Sequence, residues 1–181
     1  MKARFFIGTG IVVTLGCAQP TAILDPSIDD LVGTWELVDM RIVNAVDPSQ
    51  SYDLLTERPT CRWPLDGTPI GCVIQPQTWT IDATGDLSIF TEVGGRPALV
   101  TNLPRQVDLR DDTLSVSGPG CMFTDTVVCL LARYQVTIFS DRMILEQEIR
   151  LSTQTAEAYG FSVRPGYVQD ATSRETWLRR D

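Results

Sequence analysis

From Leu31 onward the apolar positions recur at every second residue with turn-forming residues between the runs, and no stretch carries a helical stripe. The clearest case is late in the chain. Val128, Leu130, Ala132, Tyr134, Val136 and Ile138 alternate with Arg133, Gln135 and Thr137. Met143, Leu145, Gln147, Ile149 and Leu151 then alternate with Glu146, Glu148 and Arg150, and Ser140-Asp141-Arg142 joins the two runs as a hairpin. A second hairpin runs from Trp79 and Ile81 through Asp82-Ala83-Thr84-Gly85-Asp86 to Leu87, Ile89, Thr91 and Val93, with Gly85 supplying the positive φ of the turn. A third joins Val107 and Leu109 to Leu114 and Val116 through Arg110-Asp111-Asp112-Thr113. Further strands are expected after Gly33, within 97–103 and over 176–179, which makes about eight to ten, joined mostly to their neighbours. The pattern predicts an all-β fold, an up-and-down antiparallel β-barrel, with a β-sandwich as the alternative. Residues 44–59 and 153–170 mix Pro, Gly, Ser and charge without periodicity and read as long loops.

The first residues follow a different rule. Lys2 and Arg4 precede an uncharged run from Phe5 to Leu15, which is too short to span a bilayer core of about 30 Å and has the form of an export signal. Its end, Val13-Thr14-Leu15-Gly16-Cys17, resembles the lipobox of bacterial lipoproteins. That resemblance implies cleavage before a cysteine carrying diacylglycerol, so that Cys17 becomes the lipidated first residue. An ordinary signal peptide cut after Ala18 is the alternative. Each buried methylene of an acyl chain contributes about 0.8 kcal/mol, so several chains on one cysteine anchor stably. Ala18 stands where an aspartate would signal inner-membrane retention, which implies an outer-membrane address facing the periplasm. The expected organisation is a signal peptide over 1–16, a lipidated N-terminus, tether and short helical turn over 17–30, and a barrel domain over 31–181.

Composition narrows the chemistry. The chain carries 23 acidic against 15 basic residues, a net charge of −8, and loss of Lys2 and Arg4 with the signal makes the remainder more acidic still. Nucleic acid is therefore not an expected partner. There is no histidine, and Lys2 is the only lysine, which removes histidine triads, histidine metal sites, Schiff-base and P-loop chemistry together. No metal and no cofactor is expected. Four cysteines remain beyond Cys17, and an even number in an exported chain reads as two disulfides. Three pairings are open. Cys61–Cys72 and Cys121–Cys129 are favoured because each closes a short local loop, with about 2–3 kcal/mol of stabilisation apiece.

At Leu31-Val32-Gly33-Thr34-Trp35-Glu36-Leu37 the chain resembles the opening of the lipocalin-like families, where a short helical turn leads into Gly-x-Trp on the first strand. Residues 26–31 supply the turn, with Asp25 or Ser27 as its cap. The order of the later hairpins fits the same pattern over most of residues 31–151. The resemblance is nearest to bacterial lipocalin-like lipoproteins. It implies that Trp35, after Gly33, closes the narrow end of the barrel and packs against an arginine of the last strand, Arg179 or Arg180, a contact worth about 1 kcal/mol.

Two functional classes follow, and a third ranks behind them. The first is a lipid-anchored envelope barrel holding a small apolar or amphipathic ligand, with Tyr134, Tyr52 and Tyr159 as candidate polar contacts. The second is a packed barrel that docks another envelope protein, including a protease-inhibitor-like role, through Trp63 in the loop between Cys61 and Cys72. Enzymatic activity is not expected. The carboxylate pairs Asp29/Asp30, Asp111/Asp112 and Glu146/Glu148 are explained by turns and by a solvated strand face.

Overall fold

A computed structural model describes residues 21–56, 60–62, 69–71, 77–93, 96–99, 105–119, 128–162 and 166–180. In chain order these form α1 (Ile28–Leu31), β1 (Gly33–Asn44), β2 (Ser51–Asp53), β3 (Thr60–Arg62), β4 (Pro69–Gly71), β5 (Gln77–Ile81) and β6 (Asp86–Val93). They continue with β7 (Arg96–Leu99), β8 (Arg105–Arg110), β9 (Thr113–Pro119), β10 (Val128–Ile138), β11 (Arg142–Leu151), α2 (Thr153–Ala158) and β12 (Gln169–Arg180). Strands β1, β5, β6, β8, β9, β10, β11 and β12 pair in that order, each antiparallel to the next, and β12 returns to β1. The result is a closed eight-stranded antiparallel barrel. Closure removes the exposed sheet edges that a sandwich retains. Strand β2 extends β1, β7 extends β6, and β3 with β4 forms a separate ribbon. No helix among the described residues is long and apolar enough to cross a membrane.

The period-two pattern maps directly onto this wall. Val136, Ile138, Met143, Leu145 and Trp177 point inward and are buried, while Arg133, Gln135, Thr137, Glu148 and Arg150 point outward and are exposed. Two bulges interrupt the strict alternation. The register shifts between Leu37 and Asp39 and between Leu130 and Ala132, which turns the apolar Val38 and Leu131 out to solvent and returns Met40 and Ala132 to the inside. The third hairpin turns at Asp111, at φ +53°, a left-handed conformation that aspartate tolerates. Gly85 has φ +83°, and a Cβ there would lie 2.8 Å from the Val107 carbonyl oxygen, so this turn requires glycine.

Two apolar clusters fill the molecule. The larger centres on Trp35, Trp79 and Trp177 with Leu31, Leu114, Met143 and Leu145, and it packs the end of the barrel where α1 and the tight turns gather. The smaller joins Ile42, Tyr52, Leu54, Leu151, Ala156, Phe161 and Ala171 at the opposite end, and Met40 touches both. Residues 44–59 and 153–170, read from sequence as loops, contribute to this second cluster through β2 and α2. Helix α2 is capped by Ser152, whose hydroxyl accepts from the Thr155 N–H at 3.1 Å. It has six residues and buries only Ala156, too little to print a helical period. The last strand also begins earlier than expected, at Gln169 rather than Thr176, because its first inward residues, Ala171, Ser173 and Glu175, are small or polar.

The packed end is sealed by a clamp. Trp35 is fully buried and its Nε1–H donates to the Leu31 carbonyl at 2.7 Å. The Arg179 guanidinium sits 4.6 Å from the centre of the Trp35 ring and donates to the carbonyls of Asp30 and Val32, at the C-terminal side of α1. Arg180 points the other way and pairs with Glu36 on the outer surface. Arg179→Ala exposes the ring and orphans two carbonyls, and the expected loss is about 2–4 kcal/mol. Arg179→Lys recovers little of it, since one ammonium cannot cover the ring and reach both carbonyls. Urea unfolding of the two variants measures this, and full stability of the lysine variant would contradict it.

Candidate functional site

At the end away from the clamp the wall comes apart. The register between β10 and β11 runs from Ile138↔Met143 to Gln135↔Glu146 and stops there, although both strands continue for several residues. Beyond that point β10 stays with β9 and β11 stays with β12. A cleft of about 420 Å³ lies at the fork, bordered by Arg133, Tyr134 and Gln135 on one side and Glu146, Gln147 and Glu148 on the other. The amide directions follow from the ends of the ladder. Val136 N–H bonds to Asp112 O, away from β11, and Phe139 N–H bonds to Arg142 O, toward it. Odd-numbered amides of β10 and even-numbered amides of β11 therefore face each other, and those of Arg133 and Glu148 face the parting.

Inside the wall, at the junction of the two apolar clusters, the barrel carries polar groups. Glu175 is 7% exposed, lies opposite Met40 on β1 and Leu145 on β11, and accepts from the Trp177 Nε1–H at 3.0 Å. Burial raises its pKa, and the bond from Trp177 offsets this only in part. Tyr134 borders the cleft with its phenol largely inside, where desolvation and the negative charge of Glu175 raise its pKa and Arg105 acts against them. The rings of Trp79 and Trp177 lie 4.4 Å apart, and the buried Trp79 Nε1–H has no partner among the described residues. Together these groups can take a polar head, while the cleft has the volume of a small-molecule site. Among the described residues no three carboxylates or thiols converge as metal ligands would.

Other residues singled out from sequence fall elsewhere. Tyr52 and Tyr159 stack on each other at 4.9 Å in the second apolar cluster, away from the polar layer. Glu146 and Glu148 stand on the outer rim of the cleft, with Arg174 3.6 Å from Glu146. Asp30 closes α1 by accepting from the Ser27 N–H at 2.8 Å, and Asp111 and Asp112 form the third hairpin's turn. Cys17, Trp63, Cys72 and Cys121 lie outside the described residues, and Cys61 and Cys129 are placed only as backbone positions of β3 and β10. Glu175, Gln147 and Arg105 were not singled out. Glu175 had a signal in its spacing, since it lies two residues before Trp177 and four before Arg179 and so shares their inward face.

No family model, curated protein or solved structure matches the chain.

The raised pKa of Glu175 carries a pH signature. The folded protein holds this proton more tightly than the unfolded chain, so the contribution of Glu175 to stability is full below its ordinary value of 4.5 and is lost as pH rises through the raised value. Hydrogen bonds from Ser49 to Asp47 and from Thr84 to Asp82 lower those carboxyls and act in the opposite sense, but equally in both proteins compared. The stability of Glu175→Gln relative to the unmodified protein is therefore expected to increase from about pH 4 to about pH 8. Urea unfolding across that range checks this, and a constant difference would contradict it.

Proposed function

We propose that the chain is a lipid-anchored, lipocalin-like envelope barrel that binds a small amphipathic molecule admitted between β10 and β11. The observation that carries this reading is the parting of these strands beyond Gln135 and Glu146, which opens a ligand-sized cleft beside the inward-reaching Tyr134. A purely structural barrel gains nothing from leaving two neighbouring strands unpaired next to buried polar groups. The clamp of Trp35, Leu31 and Arg179 closes one end, so the parted wall is the ligand's way in.

Anchoring at Cys17, and with it an outer-membrane position facing the periplasm, belongs to the same reading and rests on the N-terminal sequence. Ile23 N–H donates to Ile138 O at 2.7 Å, so the tether leaves from the clamped end and the parted end points away from an anchoring membrane.

Native mass spectrometry of the full-length protein released from its own membranes tests the binding role. The expected result is a co-purified small molecule that is absent from Gln147→Trp, a substitution that adds an indole where the inward-facing Gln147 lines the cleft. A protein that carries nothing from its own membranes would contradict the reading, as would a ligand retained at full occupancy in the variant.

A further inference from the structure

Asn44, Ser173 and Glu175 are the polar residues buried among the described core. Asn44 is fully engaged, accepting from Val46 N–H and Gln169 Nε2 and donating to Gln50. Glu175 alone of the three has a charge to place. It receives one hydrogen bond, from Trp177, and no arginine is paired with it among the described residues. Arg105 acts on Tyr134 but is not among the influences on Glu175. An ionised carboxylate buried without a cation is costly, and the cost is relieved when a positive charge arrives.

The surroundings suit such a charge. Trp177, which donates to Glu175, stacks at 4.4 Å with Trp79, and indole faces are the strongest side-chain partners for organic cations. Trp79 Nε1–H, buried and unpartnered, offers a donor to an oxygen on the same ligand. Tyr134 links this interior to the outside, since it borders the cleft and its hydroxyl feels the charge of Glu175.

We propose that the ligand is a small organic cation with an apolar body, its charge held by Glu175 beside the Trp79–Trp177 pair, an inference that rests on the binding role above. In the complex the ionised Glu175 carboxylate and the cation neutralise each other inside the wall.

The test compares benzyltrimethylammonium with neopentylbenzene, its neutral isostere, by titration calorimetry on the full-length protein in detergent. The expected result is at least about tenfold tighter binding of the cation, and loss of that preference in Glu175→Gln. The first comparison needs no variant and so does not depend on how the substitution folds. Equal affinity for the two compounds, or a preference that survives Glu175→Gln, overturns the inference and leaves the binding role standing. Binding of neither compound also overturns it, and the binding role is then decided separately by the co-purified ligand.

Discussion

The whole arrangement depends on the seam between β1 and β12. Hydrogen bonding along that seam, from Thr34↔Arg180 to Asn44↔Ala171, turns a meander of hairpins into a barrel and fixes which residues face in. It also places Arg179 directly opposite Trp35, so that one guanidinium ties the last strand to the first and to the carbonyls of α1. Closure satisfies backbone groups that an open sheet would expose, and the clamp adds a sealed end against which the large core can pack. With that end fixed, the other is free to differ, and the β10–β11 ladder ends where the packed core gives way to polar groups.

Much of this was legible in the sequence because period-two alternation is a direct record of a wall with a dry inside. The hairpins at Gly85, at Asp111-Asp112 and between Ile138 and Met143 all stand where alternation and turn residues put them. Counting such units leads to an antiparallel barrel with a sandwich as the alternative, and the Trp35–Arg179 contact is what the resemblance to lipocalin-like openings implies. Other features were illegible for physical reasons. Helix α2 is too short to show a period, and the first half of β12 carries small or polar residues on its inner face. A reader of hydrophobicity passes over both.

The polar layer shows the same limit in another form. Glu175 sits on a face that its spacing from Trp177 and Arg179 defines as interior, yet a charged residue in a strand is ordinarily assigned to solvent. Its importance is visible only when the opposing strands are in place and supply no cation. The parting itself leaves no trace in composition, since 128–138 and 142–151 carry the most regular alternation in the sequence and alternation says nothing about where a ladder ends.

Amide hydrogen exchange resolved by NMR on the ligand-free protein tests the parting most directly. The account predicts slow exchange at Gln135 and Glu146, which share the last paired rung, and fast exchange at Arg133 and Glu148, whose amides face the gap. Equal protection at all four positions would mean that β10 and β11 are zipped to their ends, and would contradict both the cleft and the binding role built on it.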